Sequence, residues 1–294
     1  MRNEQELETE NLTLVVTPKK ICNFVALNMS DMKNILVPIG STEKAISTLQ
    51  YAIDFAEEMN ANVLVFRAYK AKSKAGSMVN MTAIIERETK LYLKTMVRAV
   101  DTKNVDVKLI SSQGGVLDSA EAIDNEIGVD LIIVGAKSNS IKDGIFLGTT
   151  AGSLVKKSNL PVLTIPEDYV YKPIKSILLA FKSGVVKCKT ALNPLAIIAE
   201  NFNSVINSLL VKTVGHKDED LILDKELIAL QTKLTVTENA TTFQGVLEHF
   251  KTHNPDILCV FRRKRGFFKK LWEKNTVLKK EFHTSIPLLI LKGK

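Results

Sequence analysis

Small and hydroxyl-bearing residues bracket a polar loop in the middle of the chain. Gly135 ends an apolar run at residues 131–134, and a Gly-Thr-Thr tripeptide at residues 148–150 closes the loop that follows. Glycines let backbone N–H groups approach an anion closely, hydroxyls donate hydrogen bonds, and the N-terminus of a following helix adds a favourable dipole. The spacing therefore predicts a cradle for phosphate groups, with Lys137 or Lys142 as sources of positive charge.

The elements that must position this loop alternate between strands and helices. The apolar run before Gly135 is too short for a helix, which is typical of a strand buried on both faces of a parallel sheet. Other strands are predicted at residues 35–39, 62–69, 105–110 and 160–165. Because helical segments separate them, we predict an α/β fold with a doubly wound parallel sheet. Ligands of such sheets bind beyond the carboxyl ends of strands where the strand order reverses.

The strand pattern occurs twice in the 294 residues. Segments of the second half repeat segments of the first: residues 175–181 repeat 33–39, 255–261 repeat 129–135, and 286–290 repeat 160–164. An internal duplication is therefore predicted, with a first domain at 32–168 and a second at 172–293. In the second copy Phe261 stands in place of Gly135 and Lys274 in place of Gly148, so that copy has lost the phosphate cradle.

Residues 1–31 precede the first strand and lack a sustained periodicity. We expect a poorly ordered N-terminal extension, because untethered termini are commonly mobile. The alternative is an extra edge strand formed by residues 12–16 or 24–27. The segment is acidic where a secretory leader needs positive charge, so we do not expect a leader.

The residues around the loop resemble those of the universal stress proteins. Members of that family carry Gly-x2-Gly-x9-Gly-(Ser/Thr) after the fourth strand, and Gly135, Ser138, Gly148 and Thr149 stand at this spacing, with a serine for the second glycine. The resemblance implies two five-stranded sheets of order 3-2-1-4-5, a fold also described as nucleotide-binding α-hydrolase-like. It further implies that the first domain binds ATP or a related nucleotide and the second domain none. The implied nucleotide-binding residues are Gly40, Gly135, Ser138, Gly148, Thr149 and Thr150, although family members that bind nucleotides usually have an aspartate where Gly40 stands.

No catalytic or metal-binding constellation is visible in the sequence. His249 and His253 have the spacing of metal ligands on a helix but no clear third ligand, and three scattered cysteines argue for a reducing compartment. The resemblance therefore implies a cytoplasmic, non-catalytic stress-response regulator or scaffold, with weak ATPase activity left open. The alternative is a protein-interaction module that binds no nucleotide.

Two further features concern partners. The net charge of +8 is partly clustered in the basic segment 262–274, RRKRGFFKKLWEK. We expect this segment to be a solvated loop above a helix that faces the core or a dimer partner. The alternative is a surface that binds a membrane, an anion, a protein or a nucleic acid. Nucleic-acid binding has no strong signal. The last strand of each domain is expected at a sheet edge, where it can pair in a homodimer or within the chain. We therefore expect residues 161–166 to approach residues 287–292.

Overall fold

The computed structural model describes residues 13–15, 31–40, 44–70, 81–136, 148–186, 188–262 and 286–292. The strands are β1 (Thr13–Val15), β2 (Asn34–Pro38), β3 (Asn62–Tyr69), β4 (Val107–Gln113), β5 (Leu131–Gly135), β6 (Val162–Ile165), β7 (Ser176–Phe181), β8 (Val205–Lys212), β9 (Lys233–Glu238), β10 (Ile257–Phe261) and β11 (Leu288–Leu291). The helices are α1 (Ala45–Glu58), α2 (Met81–Arg98), α3 (Val116–Ile127), α4 (Gly148–Lys157), α5 (Asn193–Asn201), α6 (Lys225–Leu230) and α7 (Thr242–His253). Among the described helices, none is both long and apolar enough to cross a bilayer.

The strands form one sheet in the order β1-β9-β8-β7-β10-β11-β6-β5-β2-β3-β4. Strands β2 to β6 have the order 3-2-1-4-5 within the first half, and β7 to β11 have the same order within the second. All neighbours inside each half are parallel. The predicted fold class is therefore confirmed, and the two five-stranded sheets are joined edge to edge.

The joint between the halves is the antiparallel pair β6–β11. Leu163 lies opposite Leu289 and Val162 opposite Ile290, and the Thr164 hydroxyl donates a hydrogen bond of 3.4 Å to the Leu288 carbonyl. The expected approach of residues 161–166 to residues 287–292 is confirmed. Because each of these strands would otherwise be an unpaired edge, the duplication satisfies within one chain the hydrogen bonds that a single domain would leave open.

Two hydrophobic cores cover the faces of the sheet, and both run across the joint. Successive residues of β2 point to opposite faces, so Ile35 and Val37 lie in one core and Leu36 in the other. The first core packs α1, α2 and α5 against the sheet, and the second packs α3, α4 and α7. Phe55 of α1 and Phe202 at the end of α5 stand 5.7 Å apart between ring centroids, so the halves share aromatic contacts as well as strands.

Equivalent aspartates hold the same two strands together in both halves. The Asp130 carboxylate accepts hydrogen bonds from the backbone N–H groups of Lys33 and Asn34 through Oδ2, at 2.8 and 2.9 Å. The Asp256 carboxylate accepts the equivalent bonds from Lys175 and Ser176, at 2.9 and 3.0 Å. This repeated anchor supports the predicted duplication at the level of individual atoms, while the domain boundaries 32–168 and 172–293 stay predictions.

The Asp256 anchor should make stability depend on pH. Burial alone would raise the pKa of Asp256, but hydrogen bonds from Lys172 and from the backbone of Lys175 and Ser176 hold that pKa below its usual value. A carboxyl whose pKa is lower in the folded state stabilises the fold above its unfolded pKa, about 4, and that stabilisation is lost as the pH falls through the folded pKa. We expect Asp256→Asn to lower the free energy of unfolding by about 1–2 kcal/mol at pH 7. In urea titrations the difference from wild type should shrink below about pH 4; a pH-independent difference would contradict this.

The N-terminal extension contributes an edge strand. Strand β1 pairs antiparallel with β9, with Thr13 opposite Thr235 and Val15 opposite Lys233. This pairing agrees with the alternative of an extra edge strand at residues 12–16, while the expectation of a poorly ordered extension over residues 1–31 stays a prediction. The segment 24–27 lies outside the described residues, as does the basic segment after Arg262.

Candidate functional site

The predicted crevice of the first half lies where two neighbouring parallel strands end. Strands β2 and β5 pair with Ile35 opposite Leu131 and Leu36 opposite Ile132, so their carboxyl ends meet at one edge of the sheet. Gly40 follows β2 and is exposed, and Gly135 is the last residue of β5. This is the point at which the strand order reverses, where open α/β sheets bind ligands.

The helix that follows the polar loop begins at the predicted tripeptide. Helix α4 starts at Gly148 and includes Thr149 and Thr150, and Thr150 is exposed. The first N–H groups of a helix lack intrahelical acceptors and can bind an anion. Ser138 lies outside the described residues, together with Lys137 and Lys142, so its assignment to the site stays a prediction.

Gly135 is required by the close approach of helix α1. A Cβ atom at this position would lie 2.5 Å from the Thr48 hydroxyl oxygen, well inside van der Waals contact. Thr48 is almost completely buried in the first turns of α1. The glycine therefore serves packing as well as any ligand, and the sequence pattern alone does not separate these two roles.

Two side chains that the sequence pattern did not single out hold the Gly40 carbonyl. The Tyr92 hydroxyl of α2 donates a hydrogen bond of 2.9 Å to this oxygen, and the Arg67 guanidinium at the end of β3 donates one of 3.4 Å. The same guanidinium lies 4.0 Å from the centroid of the Tyr92 ring, a cation–π contact. A charged residue inside the otherwise apolar strand NVLVFRAY was the available signal for this pair.

Among the described residues, the crevice around Gly40 is open on the side where a side chain would project. A Cβ atom added to Gly40 would have no heavy atom of these residues within 4 Å. The exposed backbone at residue 40 therefore leaves room for a ligand beside the end of β2. Arg67 places a cation next to that room, and a cation there suits a phosphate or another anion.

The equivalent place in the second half is filled by the chain itself. Lys182 follows β7 where Gly40 follows β2, and the half-buried Phe261 ends β10 where Gly135 ends β5. Gly184 in the next turn accepts a hydrogen bond from the Asp224 N–H at 3.0 Å, and a Cβ there would lie 2.4 Å from the Ile222 carbonyl. The loop is thus packed against residues 218–224, which leaves little space for a nucleotide.

Helix α4 is tied to the second half at its C-terminal end. The Arg262 guanidinium donates hydrogen bonds to the carbonyls of Val155 and Leu160, at 2.6 and 2.8 Å. Burial lowers the pKa of Arg262 to about 10. A cation that binds terminal helix carbonyls is favoured by the helix dipole, so Arg262 fixes the position of the helix whose first turn borders the candidate site.

The described part of the chain carries no metal-binding cluster. It contains no group of three or more His, Cys, Asp or Glu side chains positioned to hold an ion. The rings of His249 and His253 are 6.2 Å apart, and burial together with the His249 charge lowers the pKa of His253. This pair is accounted for as neighbouring residues on the surface of α7.

The fold and part of the sequence are shared with known proteins. The strand order and the reversal point between β2 and β5 define a doubly wound α/β protein. Residues 32–166 match the sequence model of the Universal stress protein family. This match assigns residues 32–166, a little under half of the chain, to the universal stress protein family.

Individual relatives agree with this assignment. Universal stress protein G of Shigella flexneri and that of Escherichia coli O157:H7 are each 30% identical to this chain over 81 residues, which are 28% of this chain and 56% of the relative. The chain thus spans little more than half the length of these curated relatives. A universal stress protein from Archaeoglobus fulgidus DSM 4304 has a TM-score of 0.65 at 16% identity, covering 90% of this chain and 97% of its own. A protein of unknown function from Pseudomonas aeruginosa PAO1 has a TM-score of 0.54 at 15% identity, covering 90% and 94%. At these identities the two structures show the fold alone.

Proposed function

We propose that the first half binds ATP or a related nucleotide and that this ligand sets the regulatory state of a non-catalytic stress-response protein. One contrast carries the proposal: among the described residues the space beside Gly40 is open, whereas the equivalent strand end is followed by Lys182 and by a turn in which Gly184 is packed against the Ile222 carbonyl. Family membership supports the stress-response role.

The chemistry of the open crevice suits a nucleotide. Helix α4 supplies free N–H groups at its start, and the exposed Thr150 supplies a hydroxyl. Arg67 adds a fixed cation at the mouth through its bonds to the Gly40 carbonyl and the Tyr92 ring. Gly40, Gly135, Ser138, Gly148, Thr149 and Thr150 are proposed to contact the nucleotide. We propose no nucleotide in the second half.

A non-catalytic role agrees with the groups present. The described residues proposed to contact the nucleotide are glycines and threonines, with Arg67 beside them, and these groups bind and orient anions without acting as general bases. The free energy of nucleotide binding can then shift the protein between conformations or alter a partner-binding surface, instead of lowering a reaction barrier.

Titration calorimetry with ATP tests the proposal. We expect one site per chain and a Kd in the micromolar range or tighter, since several charge-assisted hydrogen bonds converge on the phosphates. Gly40→Leu should weaken binding by about tenfold or more, because its side chain would project into the open space without a clash in the apoprotein.

The matched control lies in the second half. Lys182→Leu places the same side chain at the equivalent strand end and should leave ATP affinity unchanged. Absence of saturable binding would overturn nucleotide binding altogether. If both substitutions weakened ATP binding equally, the site would not lie beside Gly40.

A further inference from the structure

The contact between the halves has two symmetry-related parts, and the inter-domain segment fills one of them. Tyr51 of α1 packs against the rings of Tyr169 and Tyr171, with centroids 6.0 and 5.4 Å away. Beside these rings, the Lys172 ammonium forms an ion pair of 2.7 Å with Oδ1 of Asp256. Two aromatic rings and a paired cation thus occupy this part, which we call the filled seam.

The symmetry-related part is a cleft with a volume of about 290 Å³, which we call the open seam. Its apolar walls come from both halves. They are formed by Met32, Val129, Pro161, Ala191, Pro194 and Ile197. Its polar lining includes Asp130, Asn193 and Lys292.

The internal repeat relates the two parts residue by residue. Asp130 is the counterpart of Asp256, since each anchors the first strand of its half through Oδ2. Pro194 is the counterpart of Tyr51, because each lies the same number of residues before its helix C-cap, Phe202 or Met59. In the open seam the large ring of Tyr51 is replaced by a small proline, and no described residue takes the place of Tyr169, Tyr171 and Lys172.

We propose that the open seam binds a small aromatic amine, which supplies the ring and the cation that Tyr171 and Lys172 supply in the filled seam. The Asp130 Oδ1 atom is available for the ammonium: its equivalent in Asp256 binds Lys172, whereas the described residues offer Oδ1 of Asp130 no hydrogen-bond or ion-pair partner. The site is separate from the nucleotide crevice, which lies at the opposite ends of β2 and β5.

Asn193 also lines the cleft, and its Oδ1 atom has no hydrogen-bond partner among the described residues, but that atom is shielded from solvent and therefore from a ligand in the cleft. Lys292 also lines the cleft, but its side chain is exposed, so solvent screens its charge more than that of the half-buried Asp130.

Tyramine is a suitable probe because it combines a phenol ring with a primary ammonium. Calorimetry or ligand-observed NMR on the full chain should show one saturable site with a Kd near or below about 1 mM. 4-Ethylphenol, which has the ring without the ammonium, should bind at least about tenfold more weakly, because it lacks the charge-assisted hydrogen bond to Asp130. Asp130→Asn keeps an acceptor for the backbone N–H groups and should weaken tyramine by a similar factor.

Two further variants separate the ligand site from folding. Ile197→Trp fills the cleft without altering Asp130 and should abolish tyramine binding, while Asp256→Asn, the same change in the filled seam, should leave it intact. The proposal is overturned if tyramine does not saturate by about 10 mM. It is also overturned if 4-ethylphenol binds equally well, or if Ile197→Trp binds tyramine as wild type does.

Discussion

Gly135→Ala is expected to destabilise the protein by about 1–3 kcal/mol, a large effect for the addition of one methyl group. The added Cβ would lie 2.5 Å from the Thr48 hydroxyl oxygen, so helix α1 or strand β5 would have to move. Both elements contribute to the core that joins the halves, where packing leaves little room for adjustment. Guanidinium chloride unfolding followed by far-UV circular dichroism measures the change.

The second half suggests how this clash can be relieved. There the equivalent strand, β10, ends in Phe261. The residue equivalent to Thr48 is Ala191, just before α5, since each lies the same number of residues before the C-cap of its helix. We therefore expect Thr48→Ala to restore most of the stability lost in Gly135→Ala, so that the double variant is more stable than the sum of the single changes predicts. Strict additivity would show that the two residues do not interact as the structure indicates.

Leu289→Ala is expected to cost about 2–5 kcal/mol, the largest effect we predict. Leu289 is completely buried in β11 and lies opposite Leu163 across the joint between the halves. Leu163→Ala should cost a similar amount, and the two changes together should cost less than their sum, because both empty the same contact.

The same variants test whether the halves unfold together. The core that contains Leu163 and Leu289 also holds residues of α1 and α5, so we expect a single unfolding transition in wild type. Hydrogen exchange should show that Leu289→Ala reduces protection in β2 of the first half as well as in β7 of the second. Loss of protection confined to the second half would show that the joint does not couple them.

Much of the architecture could be predicted from the sequence. Apolar runs separated by helical segments suffice to predict the parallel sheet. Repeated strands such as 129–135 and 255–261 suffice to predict the duplication. The pairing of β6 with β11 followed from the need to cover exposed edges. These features depend on local periodicity and on the need of strand edges for hydrogen-bond partners, and both can be inferred from a sequence.

The contacts between elements could not be predicted in this way. Arg67 and Tyr92 meet at the Gly40 carbonyl from a strand and a helix that are distant in sequence. Arg262 stands in a basic run that predicts a solvated loop, yet its guanidinium is held by carbonyls of the first half. Tyr171 belongs to a segment that has the composition of a linker, although its ring packs on Tyr51. Each case depends on three-dimensional proximity that no spacing rule encodes.

The joining of β6 to β11 within one chain has a consequence for how this protein responds to its own abundance. Two separate domains that met through these strands would associate more completely as their concentration rose, and their pairing would report expression level. Here the partner strand is always attached, so its effective concentration is fixed by the connecting segment. Dilution cannot separate the halves, so the pairing of β6 with β11 cannot report how much of the protein is present.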